Sequence, residues 1–184
     1  MVKIVAISGS LRAGSYNSAL LRAAIEVQPQ NVNVEAGTIA GIPLYNGDDE
    51  DKTGIPAAVE KLKNQIAAAD GVLLITPEYN NSIPGVLKNA IDWLTRPPAD
   101  VARVFNQRPF AVTGASPGNF GTILAQSAWL PVLRTLGTRP WFGDKLYVSS
   151  AGKAFDASGK LVDQALRDKL KKFLTEFAAF IEAK

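Results

Sequence analysis

Strand-like and helix-like segments alternate along this 184-residue sequence, and that alternation limits the possible folds more than any other feature. An apolar run at residues 2–7 precedes one helical pattern, and a second apolar run at residues 71–76 precedes another. Such alternation is typical of βαβ units and a parallel sheet. The run at residues 71–76 is apolar on both faces, as expected for a central parallel strand.

The pattern also gives an expectation for each element. Ser15 or Asn17 can cap the first helix, and Pro56 and Pro84 are expected to open later ones. An acidic loop is expected over residues 47–51. We expect strands at residues 2–7, 32–36, 71–76 and 109–113, short edge pieces at 138–142 and 145–148, and helices at about 18–25, 56–69, 85–94, 122–136 and 161–183.

These elements predict one domain over residues 1–184, an α/β fold of three layers built on a doubly wound, parallel, five-stranded sheet. The pattern alone leaves both common strand orders open, and the short chain favours the order 2-1-3-4-5. In that order the first and third strands are neighbours at the point where the order reverses. Ligands bind at such switch points, outside the carboxyl ends of the strands.

Composition excludes several kinds of chemistry. The sequence has no cysteine and no histidine, so disulfides, thiol nucleophiles, histidine triads and the usual zinc ligand sets are excluded. A cofactor that carries the reactive atom is the simplest alternative. The net charge is +3, and the lysines and arginines are scattered along the sequence, which argues against a nucleic-acid surface. We see neither a signal peptide nor an apolar run long enough to span a membrane, and expect a cytoplasmic protein.

Polar loops follow the first and third strands. Residues 8–17 contain small hydroxyl residues, glycines and Arg12, which suit a phosphate, although helix capping explains the serines and the asparagine equally well. Residues 77–85 lie between two prolines and offer a ring, amides and backbone groups to a flat polar ring, although turn formation is the alternative. Glu78 could act as an acid or base, but a solvent-facing or structural role explains it equally well. A phosphorylated, ring-bearing cofactor would fit both loops.

Two familiar nucleotide motifs are incomplete. Gly9 and Gly14 have the spacing of a Walker A loop, but Ser15 and Tyr16 follow where that motif needs lysine and then serine or threonine. The GxGxxG fingerprint of dinucleotide sites is missing. The first loop therefore favours a monophosphate over a nucleoside triphosphate or a tightly bound NAD.

Longer motifs carry a family resemblance. Residues 9–12 (GSLR) followed by 15–17 (SYN), together with 76–93 (TPEYNNSIPGVLKNAIDW), closely resemble the NADPH-dependent FMN reductase family. Within that family the sequence is most similar to the quinone and chromate reductase branch. The likeness runs in order along the chain, including residues 43–46 (PLYN) and the loop of Ser116.

The resemblance implies a flavodoxin-like fold with non-covalently bound FMN and with NADPH or NADH as co-substrate. NAD(P)H would give hydride to flavin N5, and a quinone, free flavin, azo dye or chromate would then take its place. By position, the resemblance places the following residues at FMN: Ser10, Leu11, Arg12, Ser15, Tyr16, Asn17, Pro77, Glu78, Tyr79, Asn80 and Ser116.

The resemblance also implies a homodimer or homotetramer with its site near a subunit boundary. Trp93 and Trp129 are candidates for that boundary or the site, and equally for the core. This chain has Ser127, Ala128, Trp129 and Leu130 where some members have Tyr-His-Leu-Arg, which puts tetramer contacts in question.

Two other functions stay open at this point. A flavodoxin-type electron carrier would bind FMN without a substrate of its own, but carriers usually present an acidic surface and this chain is slightly basic. A flavin-free protein that binds another phosphate ligand is the second alternative.

Overall fold

The computed structural model describes residues 1–183 and contains a parallel sheet in the order β2-β1-β3-β4-β5, which is the predicted order. β1 pairs on one side with β2 and on the other with β3, so that Ile4 lies opposite both Val34 and Gly71. The strands are β1 Val2–Ser8, β2 Val32–Gly37, β3 Gly71–Ile75, β4 Pro109–Ala115, β5 Arg139–Pro140 and β6 Tyr147–Val148. The helices are α1 Tyr16–Val27, α2 Gly47–Thr53, α3 Ala57–Ala67, α4 Gly85–Leu94, α5 Val101–Phe105, α6 Ile123–Thr135, α7 Ala151–Ala154 and α8 Gln164–Glu182, with a 3₁₀ turn at Pro98–Asp100.

Two apolar cores cover the two faces of this sheet. On one face, α1 and α8 pack on the strands through side chains such as Leu20 and Phe173. On the other, α3, α4 and α6 pack through side chains such as Leu62, Ile91 and Trp129. The result is the three-layer, flavodoxin-like arrangement that the alternating pattern predicts. No helix within residues 1–183 is long and apolar enough to cross a membrane.

The acidic segment after β2 is a helix, so the prediction of a loop over residues 47–51 was wrong. The Asn46 side chain accepts the Asp48 N–H and caps α2, and acidic residues in its first turn suit the positive end of the helix dipole. Glu50 then accepts hydrogen bonds from Arg96 Nε at 2.8 Å and from the Tyr45 hydroxyl at 3.0 Å. The Arg96 bond, above all, lowers the pKa of the Glu50 carboxyl below its usual value.

The fifth position of the sheet is filled by two short strands. β5 pairs with the start of β4, and β6 pairs with its end. Residues 141–146 leave the sheet between them, and in the described part of the chain no backbone partner faces Val112 on that side. Val112 is accordingly the one residue of β4 that is only partly buried.

Candidate functional site

Three loops, after β1, β3 and β4, meet at the carboxyl edge of the sheet and enclose a cavity of about 190 Å³. Most of the residues predicted for the FMN site line it. Two do not: Leu11 is 58% exposed beside a neighbouring cleft, and Asn80 lies on the exposed tip of the second loop. The lining residues are Ser10, Arg12, Ser15, Tyr16, Asn17, Pro77, Glu78, Tyr79, Ala115, Ser116 and Pro117.

The first loop presents hydrogen-bond donors and a positive charge at the start of α1. Ser15 caps the helix, and its hydroxyl accepts the N–H groups of Asn17 at 3.2 Å and Ser18 at 3.5 Å. The Arg12 guanidinium reaches back to the Gly14 carbonyl at 2.6 Å, and within residues 1–183 it forms no salt bridge. The first turn of α1 contains no acidic residue. The loop is therefore suited electrostatically to an anion.

Gly9 allows the first and second loops to touch. A Cβ atom at this position would lie 2.7 Å from a methyl group of Leu87 and 2.8 Å from Pro77 Cδ. The Gly9 N–H also donates to the Ile75 carbonyl at the end of β3. Only glycine permits this close approach, so Gly9 allows the first loop to pack against the second.

Asn17 joins the first loop to the third. Its side-chain amide donates to the Ala115 carbonyl at 2.9 Å and accepts the Ala115 N–H at 2.9 Å. The residue is 4% exposed. Both ends of this amide are thus occupied by backbone 98 residues away in the sequence.

The second loop is a tight turn. The backbone groups of Tyr79 and Ser82 bond each other in both directions, and Asn80 and Asn81 between them have φ of 50° and 60°. Asparagine tolerates this left-handed region better than most residues, which explains the paired asparagines. Tyr79 is 54% exposed, so packing in the core does not explain its ring.

The carboxylate of Glu78 contacts α6, and this contact indicates a structural role and not proton transfer. One oxygen, Oε2, accepts the backbone N–H groups of Leu124 and Ala125, each at 2.9 Å. No sequence signal indicates this contact, because the partners lie 46 and 47 residues away.

The third loop closes the cavity beside α7. Ser116 donates its N–H to Val148 in β6 and accepts the Ala151 N–H on its carbonyl. Tyr16 packs its ring near that of Phe155, with centroids 6.1 Å apart. Ser116 and Tyr16 are therefore held in the cavity wall by the segment that follows β6.

Both candidate interface tryptophans belong to the core. Trp93 and Trp129 are 1% and 0% exposed. Trp93 donates its indole N–H to the Pro43 carbonyl, and Trp129 donates to the Thr76 hydroxyl at 3.1 Å. Neither side chain lines the cavity.

The strand order and the loop at its switch point, which presents hydrogen-bond donors and the Arg12 cation, define a flavodoxin-like protein of the kind that binds a mononucleotide at the carboxyl edge of the sheet. The family model described as NADPH-dependent FMN reductase matches residues 2–153. The chain belongs to this family, as its motifs predicted.

Individual relatives agree with that assignment. An NAD(P)H-dependent FMN reductase of Pseudomonas aeruginosa is 47% identical, with 94% of this chain and 91% of that protein covered. A 2-hydroxy-1,4-benzoquinone reductase of Burkholderia is 38% identical, with 98% and 96% covered. The solved structure of FerB, an NAD(P)H:(acceptor) oxidoreductase of Paracoccus denitrificans, superimposes with a TM-score of 0.87 at 34% identity, covering 100% of this chain and 98% of that one.

Proposed function

We propose that the protein is an FMN-dependent NAD(P)H oxidoreductase that reduces quinones, with residues 1–184 acting as one FMN-binding domain. The observation that carries the proposal is the cavity at the switch point, whose walls bring together Arg12, the cap of α1 and the turn after β3. Relatives named for FMN reduction and for benzoquinone reduction support the choice of cofactor and acceptor.

The first loop suits the phosphate of FMN. Arg12 lines the cavity and forms no salt bridge with a carboxylate of the described chain, and Ser10 and Ser15 add hydroxyl groups. The N-terminus of α1 adds the positive end of its dipole. A dianionic phosphate in this position would take the Arg12 contact now made to the Gly14 carbonyl.

The second and third loops suit the flavin ring. Pro77 and Tyr79 line the cavity at the start of a tight turn with little conformational freedom, and Ser116 of the third loop lines it as well. A backbone N–H group of the second loop that has no partner in the described chain, such as that of Glu78, can donate a hydrogen bond to a ring edge on which negative charge develops. When bound, FMN supplies the electron-transfer chemistry, which explains why a chain without cysteine or histidine can be an oxidoreductase.

The acceptor binds where the cavity opens to solvent. The exposed ring of Tyr79 borders the opening and can stack on a flat acceptor or on the nicotinamide of NADPH or NADH. We propose quinones as the main acceptors, with chromate, azo compounds and free flavin as further ones.

We also propose a homodimer or homotetramer that acts in the cytoplasm, where reduced nicotinamide coenzymes are supplied.

A visible absorption spectrum tests this function. The purified protein, saturated with FMN and washed, should show a flavin spectrum that bleaches with NADPH in the absence of oxygen and returns with benzoquinone. A bound flavin that NADPH fails to bleach would indicate an electron carrier instead. A protein that retains no FMN would refute the assignment of the cavity.

The phosphate contact has its own test. Arg12→Ala should weaken FMN binding by about tenfold to a hundredfold, because a charge-assisted contact to phosphate is lost, while the urea midpoint of the FMN-free protein stays unchanged. Arg134→Ala is the matched control, because Arg134 is exposed on α6 and lines neither this cavity nor the neighbouring cleft. Equal FMN affinities in the two variants would remove Arg12 from the site.

A further inference from the structure

We propose that Glu78 is a positioning residue that fastens the second loop to the N-terminus of α6 and thereby sets both the shape and the electrostatics of the cavity. The inference rests on the proposed function, because it concerns the wall of the FMN site. It assigns Glu78 a role other than proton transfer.

The start of α6 lacks a cap of its own. Its N-cap residue, Thr122, has φ of 66° and makes no capping bond with its side chain. The N–H groups of the first turn of a helix have no intrahelical partner and need an acceptor from elsewhere. Glu78 supplies it, since Oε2 accepts the N–H groups of both Leu124 and Ala125 at 2.9 Å.

A second tie joins the same two elements. The indole of Trp129, on α6, donates to the Thr76 hydroxyl at 3.1 Å, and that hydroxyl donates to the Pro77 carbonyl at 2.8 Å. Trp129 and Thr76 are both fully buried. The residues on either side of Pro77 are therefore both attached to α6, and the start of the second loop is fixed at two points.

The turn that follows depends on this attachment. Asn80 and Asn81 hold left-handed backbone conformations, which asparagine tolerates better than most residues but which still need support from the surrounding structure. Apart from the two bonds between Tyr79 and Ser82, the backbone of these four residues makes no hydrogen bond in the described chain. Loss of the Glu78 anchor should let the turn relax and change the wall on which the ring lies.

The charge of Glu78 has a separate effect. Glu78 is among the residues that line the cavity, and a negative charge near a bound flavin disfavours the addition of electrons to it. Glu78→Gln keeps an oxygen that can accept the two N–H bonds and removes the charge. Glu78→Ala removes both, so the two variants separate geometry from charge.

The chain offers a matched control for loss of a helix cap. Asp163 caps α8, where its side chain accepts the Leu166 N–H at 3.0 Å, and it does not line the cavity. Asp163→Ala should therefore destabilise the fold as the loss of a cap does, without a path to the flavin loop.

The experiment compares the wild type with these three variants by FMN titration, by the midpoint potential of bound FMN and by amide hydrogen exchange of the FMN-free proteins. Glu78→Ala should weaken FMN binding about tenfold and speed exchange in residues 79–82. Glu78→Gln should restore affinity to within about threefold of the wild type and raise the midpoint potential. Asp163→Ala should lower the melting temperature and change neither affinity nor exchange in the loop.

The outcomes separate the two proposals. If the wild type binds no FMN, the proposed function fails, and exchange in residues 79–82 alone decides whether Glu78 fixes the loop. If the wild type binds FMN and Glu78→Ala matches Asp163→Ala in affinity and exchange, the positioning role is refuted. Should Glu78→Ala fail to fold, an unchanged potential in Glu78→Gln would refute the electrostatic role.

Discussion

Replacing Asn17 with alanine tests whether one buried amide holds the first and third loops together. The substitution leaves the N–H and the carbonyl of Ala115 without their 2.9 Å partners at a position that is 4% exposed. A buried polar group without a hydrogen-bond partner costs about 1–3 kcal/mol, and this substitution leaves two such groups. Water that enters from the adjacent cavity should offset part of that cost. We therefore expect the free energy of unfolding to fall by about 3 kcal/mol, and the melting temperature by about 6–12 °C.

The assay is urea unfolding of the FMN-free protein followed by tryptophan fluorescence, with FMN titration beside it. Asn33→Ala serves as the control, because the Asn33 amide contacts only the exposed Glu35 side chain, and it should change stability by less than about 0.5 kcal/mol. Asn17→Ala should also weaken FMN binding, because Ser116 would no longer be held in a fixed position relative to the first loop. A loss below about 1 kcal/mol would show that the bridge is not a main support of the site.

Two further predictions concern packing and pH. Gly114→Ala should destabilise the protein by about 3 kcal/mol or more, because its Cβ would clash with the backbone carbonyl of Thr76, the residue after β3. Gly118→Ala, with nothing within 4 Å of its Cβ, should be close to neutral in the same urea titration. Arg96 lowers the pKa of Glu50 in the folded protein, so their contact stabilises the fold above the ordinary glutamate range and this stabilisation is lost as pH falls through the lowered pKa. Glu50→Gln should therefore show a shallower fall in melting temperature than the wild type on acidification below about pH 4.5, and parallel curves would contradict this.

The strand order and the main helices follow from local signals. Apolar runs mark β1, β3 and β4, and prolines mark where α3 and α4 begin, so pattern and turn chemistry suffice for them. The helix α2 was missed because its acidic sequence looks like a solvated loop. Its stability comes from Asn46 next to it and from Arg96, which is distant in the sequence and therefore invisible to a local pattern.

The candidate site likewise combines positions that local sequence signals predict with contacts between residues that are distant in the sequence. The positions of Ser10 and Arg12 at the cavity could be anticipated, because both follow the carboxyl end of a predicted parallel strand, whereas Ser116 was expected there from the family resemblance. The contacts made by Asn17 and Glu78 could not, because both side chains bond backbone groups that are close only in the folded chain. A local capping argument accounts for Ser15 but gives no hint that its neighbour Asn17 bridges two loops.

The divided fifth strand bears on how the protein avoids aggregation. An edge strand is a template on which another extended chain can add, and short or interrupted edges reduce that hazard. Here β5 and β6 each contribute two paired residues, and the chain departs from the sheet between them. An incoming strand would meet only two aligned residues before its register with the edge was broken. The interruption therefore protects this edge of the sheet, although in the described chain no strand residue faces the Val112 backbone on that side.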